Sequence, residues 1–136
     1  SGILMGRGVD AYRLVSARSD AVHEARIGLL RMQKEIETLR EFRNIAAERI
    51  RFTDPNLTEV EFRLDGTTLL RGNDVLSRNI QNLVFTYFRD NGNETNAAPQ
   101  ARRVHIDLTV DAGAGNGTLS LRTDVFPRIF IYENFQ

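Results

Sequence analysis

The residues of this chain best suited to chemistry lie near its C-terminal end. His105, Asp107 and Ser120 are the types that a nucleophilic hydrolase combines. They fall on two stretches of strict alternation. Val104, Ile106, Leu108 and Val110 alternate with His105, Asp107, Thr109 and Asp111, and Leu119, Leu121 and Val125 alternate with Ser120, Arg122 and Asp124. If the intervening glycine-rich connection closes symmetrically, the polar face pairs His105 with Asp124, Asp107 with Arg122, Thr109 with Ser120 and Asp111 with Thr118. The other face pairs Val104 with Val125, Ile106 with Thr123, Leu108 with Leu121 and Val110 with Leu119. A one-residue slip would invert both faces, so this register is the expected one. It spends each polar group on its cross-strand neighbour and leaves no nucleophile–base contact and no oxyanion hole. The expectation is therefore that the chain is not an enzyme.

A second candidate is hard-cation binding. Asp90, Asn91, Asn93 and Glu94 crowd a polar loop that runs to Pro99, and they offer oxygen ligands for calcium. Their spacing does not follow the EF-hand pattern, so the plain expectation is a polar turn with no cofactor. A third is nucleic acid. Arg13, Arg18, Arg26, Arg102 and Arg103 are basic points, but acids are interleaved and the sequence places no aromatic platform beside them. Formal net charge is zero, which supplies no global field toward polyanions. There are no cysteines, so disulfides and thiol catalysis are excluded. Lys34 is the only lysine among 18 basic residues, a bias that GC-rich coding explains as well as anion recognition does. Hydrophobic content of 41% and charged content of 26% fit an ordinary folded chain, and 136 residues fit one domain.

The elements that would position these residues differ sharply along the chain. A heptad frame set at Gly8 places Ala11, Val15, Val22, Ala25, Leu29, Met32, Ile36 and Leu39 on one seam. The expectation is a long amphipathic helix over 8–45, with 1–7 an expression scar joined to the stub of an apolar segment and 46–136 an antiparallel β-region, all one domain. The seam starts thin and ends bulky. Its thin half, Ala11, Val15, Val22 and Ala25, is expected to meet a partner. Its bulky half, Leu29, Met32, Ile36 and Leu39, is expected to dock on the sheet. Residues 40–52 mix helical and alternating spacing. Asp65-Gly66 marks a hairpin after the alternating Val60, Phe62 and Leu64. Leu76 to Ile80 reads as one helical turn. Residues 81–89, apolar on both faces, read as a central or covered strand. The apolar tail Ile129 to Tyr132 must dock somewhere.

Three stretches resemble the type IV pilin-like proteins, meaning minor pilins and the pseudopilins of type II secretion, the J-type among them. They are ARIGLLRMQKEI at 25–36, VEFRLDGTTLLRG with LSRNIQNLVFTYF at 60–88, and RRVHIDLTV with SLRTDVFPR at 102–128. The resemblance implies an α+β fold with a long N-terminal helix packed on a small antiparallel sheet. It implies a structural subunit that primes or caps a pilus or pseudopilus, with other minor pilins or pseudopilins as partners and no small-molecule substrate. It also implies a bacterial inner-membrane anchor through a missing N-terminal helix, with the domain in the periplasm or on the extracellular fibre. The competing expectation is an adhesive or ligand-binding module with the Asp90–Pro99 loop as its recognition edge, or a minor pilin that takes up DNA.

Overall fold

A computed structural model describes residues 2–113, 115 and 117–133, with side chains described from Asp20 to Ile131 apart from 114 and 116. The order is one helix, eight strands and a short terminal helix. These are α1 (Gly2–Glu37), β1 (Glu41–Ile45), β2 (Arg49–Thr53), β3 (Glu59–Asp65), β4 (Thr68–Arg71), β5 (Asp74–Ser77), β6 (Ile80–Phe88), β7 (Arg103–Asp111), β8 (Thr118–Val125) and α2 (Arg128–Glu133). The strands form two antiparallel meanders, β1-β2-β3-β4-β5 and β6-β7-β8.

This corrects the expectation of a long helix packed on a small sheet. Strands dominate the fold, and the fully described helix, Asp20 to Glu37, is 18 residues. Residues 41–45, expected to prolong the helix, instead form β1. The helix stops without glycine or proline. The Thr38 hydroxyl donates to the Lys34 and Glu35 carbonyls, and the Arg40 N–H donates to the Thr53 carbonyl at 2.8 Å, drawing the chain into β1. Residues 76–80 are not a helical turn. Leu76 and Ser77 end β5, and Asn79 adopts φ +63, a conformation an asparagine tolerates better than most residues. That left-handed residue ends one sheet and starts the other.

The hairpin of β7 and β8 has the register the alternation required, with all eight expected pairs opposite one another from Val104↔Val125 to Asp111↔Thr118. The β3–β4 turn is a two-residue hairpin with Gly66 at φ +62. Among the strands β6 pairs with β7 alone, so it is an edge and not a central strand, with only an isolated bridge from Phe88 to Glu94 beyond it. Its outer side is partly sealed by the turn after β1. There the Phe85 N–H donates to the Ala47 carbonyl at 2.7 Å, and the Tyr87 hydroxyl lies 2.8 Å from the Ala46 carbonyl.

One core cluster joins the helix to both sheets. Ala25, Met32 and Ile36 are fully buried, and they pack with Phe52 and Phe62 of one sheet and Leu83, Ile106 and Leu108 of the other. The helix lies against β5, β7 and β8. Toward the five-stranded sheet, Arg71 grips Glu35 with bonds of 2.7 and 3.0 Å. Toward the other sheet, Thr123 donates to Gln33 at 3.4 Å, and Arg128 of α2 lies 3.8 Å from Glu37.

Candidate interaction surfaces

The polar face of β7 and β8 is a ladder of mutual partners. His105 Nδ1 lies 3.1 Å from Asp124 Oδ1, and that oxygen also accepts from Arg103 at 2.9 Å. Arg122 donates to Asp107 at 3.1 Å. Ser120 Oγ lies 3.5 Å from Thr109 Oγ1 and pairs with that strand position, well along the ladder from His105. The three residues of the hydrolase reading are therefore spent separately, on a half-exposed sheet face.

Of the calcium candidates, Asp90 and Asn91 line one depression and Glu94 lies in another. Asn91 Oδ1 accepts from the Asn93 N–H at 2.9 Å, which closes a tight Asx turn. Asp90 lines a cleft together with Arg89, Arg102 and Arg103. Glu94 bridges Phe88 through its backbone and lines a different cleft, beside Ala46 and Tyr87. Among the described residues, no three His, Cys, Asp or Glu side chains gather where they could hold a metal ion.

The helix seam is placed differently from its two expected roles. Leu29, Met32, Ile36 and Leu39 sit in the core. Ala25 sits there too at 0% exposure and offers no surface to a partner, while Val22 is partly buried and packs against the same cluster. At Ala25 this departs from the expected partner seam. The helix must turn its inner face to two sheets at once, which buries the small residues together with the large ones. The side chains of Ala11 and Val15 lie outside the described residues. Among the described residues, the large apolar side chains the helix exposes are Ile27 at 52% and Leu30 at 62%, one turn apart on the outer face. The sequence carried a signal for them, since two bulky residues stand outside the seam within ARIGLLRM.

Gly28 explains how closely the helix meets β5. A Cβ there would collide with Ser77 Oγ and stand 3.2 Å from Leu69 Cδ2. Ser77 is fully buried, and its hydroxyl donates to the Glu24 carbonyl at 2.8 Å. The Glu24 carboxylate accepts from the Arg78 N–H at 2.8 Å. One helical turn thus holds the chain just before Asn79, where it passes from sheet to sheet.

A cleft lined by several arginines lies at one end of the three-stranded sheet. Arg89 follows β6, Arg102 precedes β7 and Arg103 begins it, and Phe126, Pro127, Phe130 and Ile131 close the far side. The Arg103 guanidinium stands 4.0 Å over the Phe88 ring and 5.8 Å from the Phe126 ring, and Arg102 stands 4.5 Å over Phe130. Phe130 stacks on Phe42 with centroids 5.9 Å apart, which docks the apolar tail. The sequence showed Arg102-Arg103 without aromatic company; the rings arrive from β8's end and α2, distant in sequence.

Two titrations are displaced. Burial pushes the Tyr87 phenol well above its ordinary range, outweighing the hydrogen bond to Ala46. At Glu61, burial works upward, but hydrogen bonds and charge from Arg51 and Arg63 prevail and hold its carboxyl below the usual range.

No protein-family model matches the chain, and no curated protein matches it. Among the described residues, no helix is long and apolar enough to cross a membrane.

Proposed function

We propose that this chain is a structural subunit of a type IV pilin-like fibre, a minor pilin or a pseudopilin, acting through protein–protein contact and not catalysis. The observation that carries the reading is the division of labour on α1. Its inner face is sealed into the core by Ala25, Leu29, Met32 and Ile36, while its outer face presents Ile27 and Leu30 to solvent. Two bulky apolar residues side by side on a helix whose core face is already satisfied suit contact with a partner. The three sequence stretches that resemble pilin-like proteins support the same reading. The partner contact is accordingly assigned to Ile27 and Leu30, in place of Val22 and Ala25.

Replacing Ile27→Asp and Leu30→Asp together tests this in cells that carry the intact gene and its neighbours. The isolated domain should melt as the parent does, because both positions face solvent, while the variant fails to support fibre assembly and no longer co-purifies with its partner subunits. Normal fibre formation by a folded double variant refutes the assigned interface. A native gene that lacks an apolar segment ahead of Ile3 refutes the fibre reading itself.

A further inference from the structure

We propose that the outer edge of β8 takes up an extended segment of a partner protein as an added antiparallel strand, a segment that is apolar at alternate positions and carries a carboxylate opposite Arg122. The argument begins with the sheet edges. The two sheets end in β1 and β5, and in β6 and β8. Three of these edges are blunted. β1 is bulged between Phe42 and Asn44, and the short turn of helix Ala98–Gln100 packs against it. β5 has four residues and an irregular register against β4, and α1 holds its end through Ser77 and Arg78. Outside β6, the Ala47 carbonyl accepts from the Phe85 N–H at 2.7 Å, and the Thr95 N–H donates to the Tyr87 carbonyl at 2.8 Å. Bulges, shortness and covers of this kind guard a sheet against further pairing.

β8 has none of them. Its eight residues contain no proline and pair with β7 without a bulge. Among the described residues, no backbone hydrogen bond beyond the β7 ladder reaches it. Its outer N–H and C=O groups form the row that strand addition uses, where main-chain bonds give affinity and alternate side chains give specificity. The two rows of β8 then define the segment. On the core side, Leu119 and Leu121 are half-buried and pack against the core cluster, so an added strand extends that layer with apolar residues. On the outward side stand Thr118, Ser120, Arg122 and Asp124, all exposed. Arg122 donates to Asp107 through Nε, its side chain is 65% exposed, and its two amino groups make no other bond among the described residues. They are open to an acid on the far side. Asp124 Oδ1 is already taken by Arg103 and His105, so that position specifies less.

The edge belongs to the sheet and does not rest on the fibre reading. The test uses the whole chain and a fluorescein-labelled peptide, Val-Lys-Val-Glu-Ile-Thr-Val-Thr, whose Glu falls opposite Arg122 when it runs antiparallel to β8. Binding is read by anisotropy and located by amide shifts in NMR. The peptide should bind and shift the amides of Thr118 to Val125, while those of Glu41 to Ile45 on β1 stay in place. Two further peptides are N-methylated at alternate residues, each along one edge. A strand pairs through one edge at a time, so one of them should lose binding and the other keep it. Replacing the Glu by Lys should weaken binding about fivefold, and Arg122→Ala, melting as the parent does, should abolish that preference. The proposal is overturned by no binding at about millimolar protein, by equal binding of the two methylated peptides, by shifts on β1 or β5 in place of β8, or by a Glu preference that survives Arg122→Ala. Shifts of the β8 amides with protein concentration alone would give the edge to a second copy and overturn it equally.

Discussion

Replacing Gly28 by alanine sets two physical effects against each other with opposite signs. In an exposed helix interior the change should stabilise by about 1 kcal/mol, because glycine is the poorer helix former. Here the new Cβ meets Ser77 Oγ inside contact distance, with Leu69 Cδ2 close behind at 3.2 Å. The leucine methyl can give; the serine cannot move without leaving the Glu24 carbonyl. Overpacking costs about 1–3 kcal/mol, and stranding a buried hydroxyl costs about 1–3 kcal/mol more. The steric and polar losses exceed the propensity gain, so Gly28→Ala should destabilise by about 3 kcal/mol, near 10 °C in Tm for a chain of this size. Ser77→Ala alone should cost about 1 kcal/mol. It also removes the obstructing oxygen, and the next Ser77 atom is its Cβ at 3.6 Å, an ordinary contact. In that background Gly28→Ala should be neutral or slightly stabilising. A double-mutant cycle by urea unfolding, followed by circular dichroism, reads the coupling. The reasoning is refuted if Gly28→Ala raises stability, or if it has the same effect with and without Ser77.

Tyr87→Phe removes a hydroxyl placed 2.8 Å from the Ala46 carbonyl and 3.2 Å from that of Arg49, and should lower stability by about 1 kcal/mol near neutrality. Because the folded phenol titrates above its unfolded value, the parent loses stability as pH rises past about 10. The gap to Tyr87→Phe should therefore close at alkaline pH, and a gap constant from pH 8 upward in denaturant titrations would contradict this. Glu61 behaves in the opposite sense. Its carboxyl is held low, so its contribution is complete above the unfolded value of about 4.3 and fades as pH falls through the folded one. Glu61→Gln should thus be less stable than the parent at neutral pH and approach it in acid; melting curves that stay equally far apart down to about pH 3 would show the Arg51–Glu61–Arg63 cluster to be inconsequential.

Residues legible in the sequence were those whose local pattern agreed with their long-range partners. In the β7–β8 hairpin both faces alternate, so only one register satisfies the polar and apolar sides together. Asp65-Gly66 likewise announced its turn. The rest depended on contacts that no local window contains. The helix end rests on a threonine hydroxyl and on an N–H captured by Thr53, and neither has a breaker residue to mark it. The split into two sheets turns on Asn79, an ordinary residue in sequence whose positive φ is fixed by what lies on either side. The heptad seam showed which residues were apolar, not how many surfaces they would meet. Facing two sheets, the helix also turned Ala25 and Val22 inward, and among the described side chains Ile27 and Leu30 stand on its outer face. The arginine cleft was invisible for a related reason: its cations come from the β6–β7 connection and its rings from the β8 end and α2.

The attachment of α1 also has a mechanical side. Along the helix, Glu24 holds Ser77 and Arg78, Gln33 meets Thr123, and Glu35 grips Arg71. These ties reach both sheets at several heights. A pull along the helix axis therefore loads them side by side, in shear. The domain hangs from its helix as a load shared between two plates, and the bond at Ser77 sits where those plates meet.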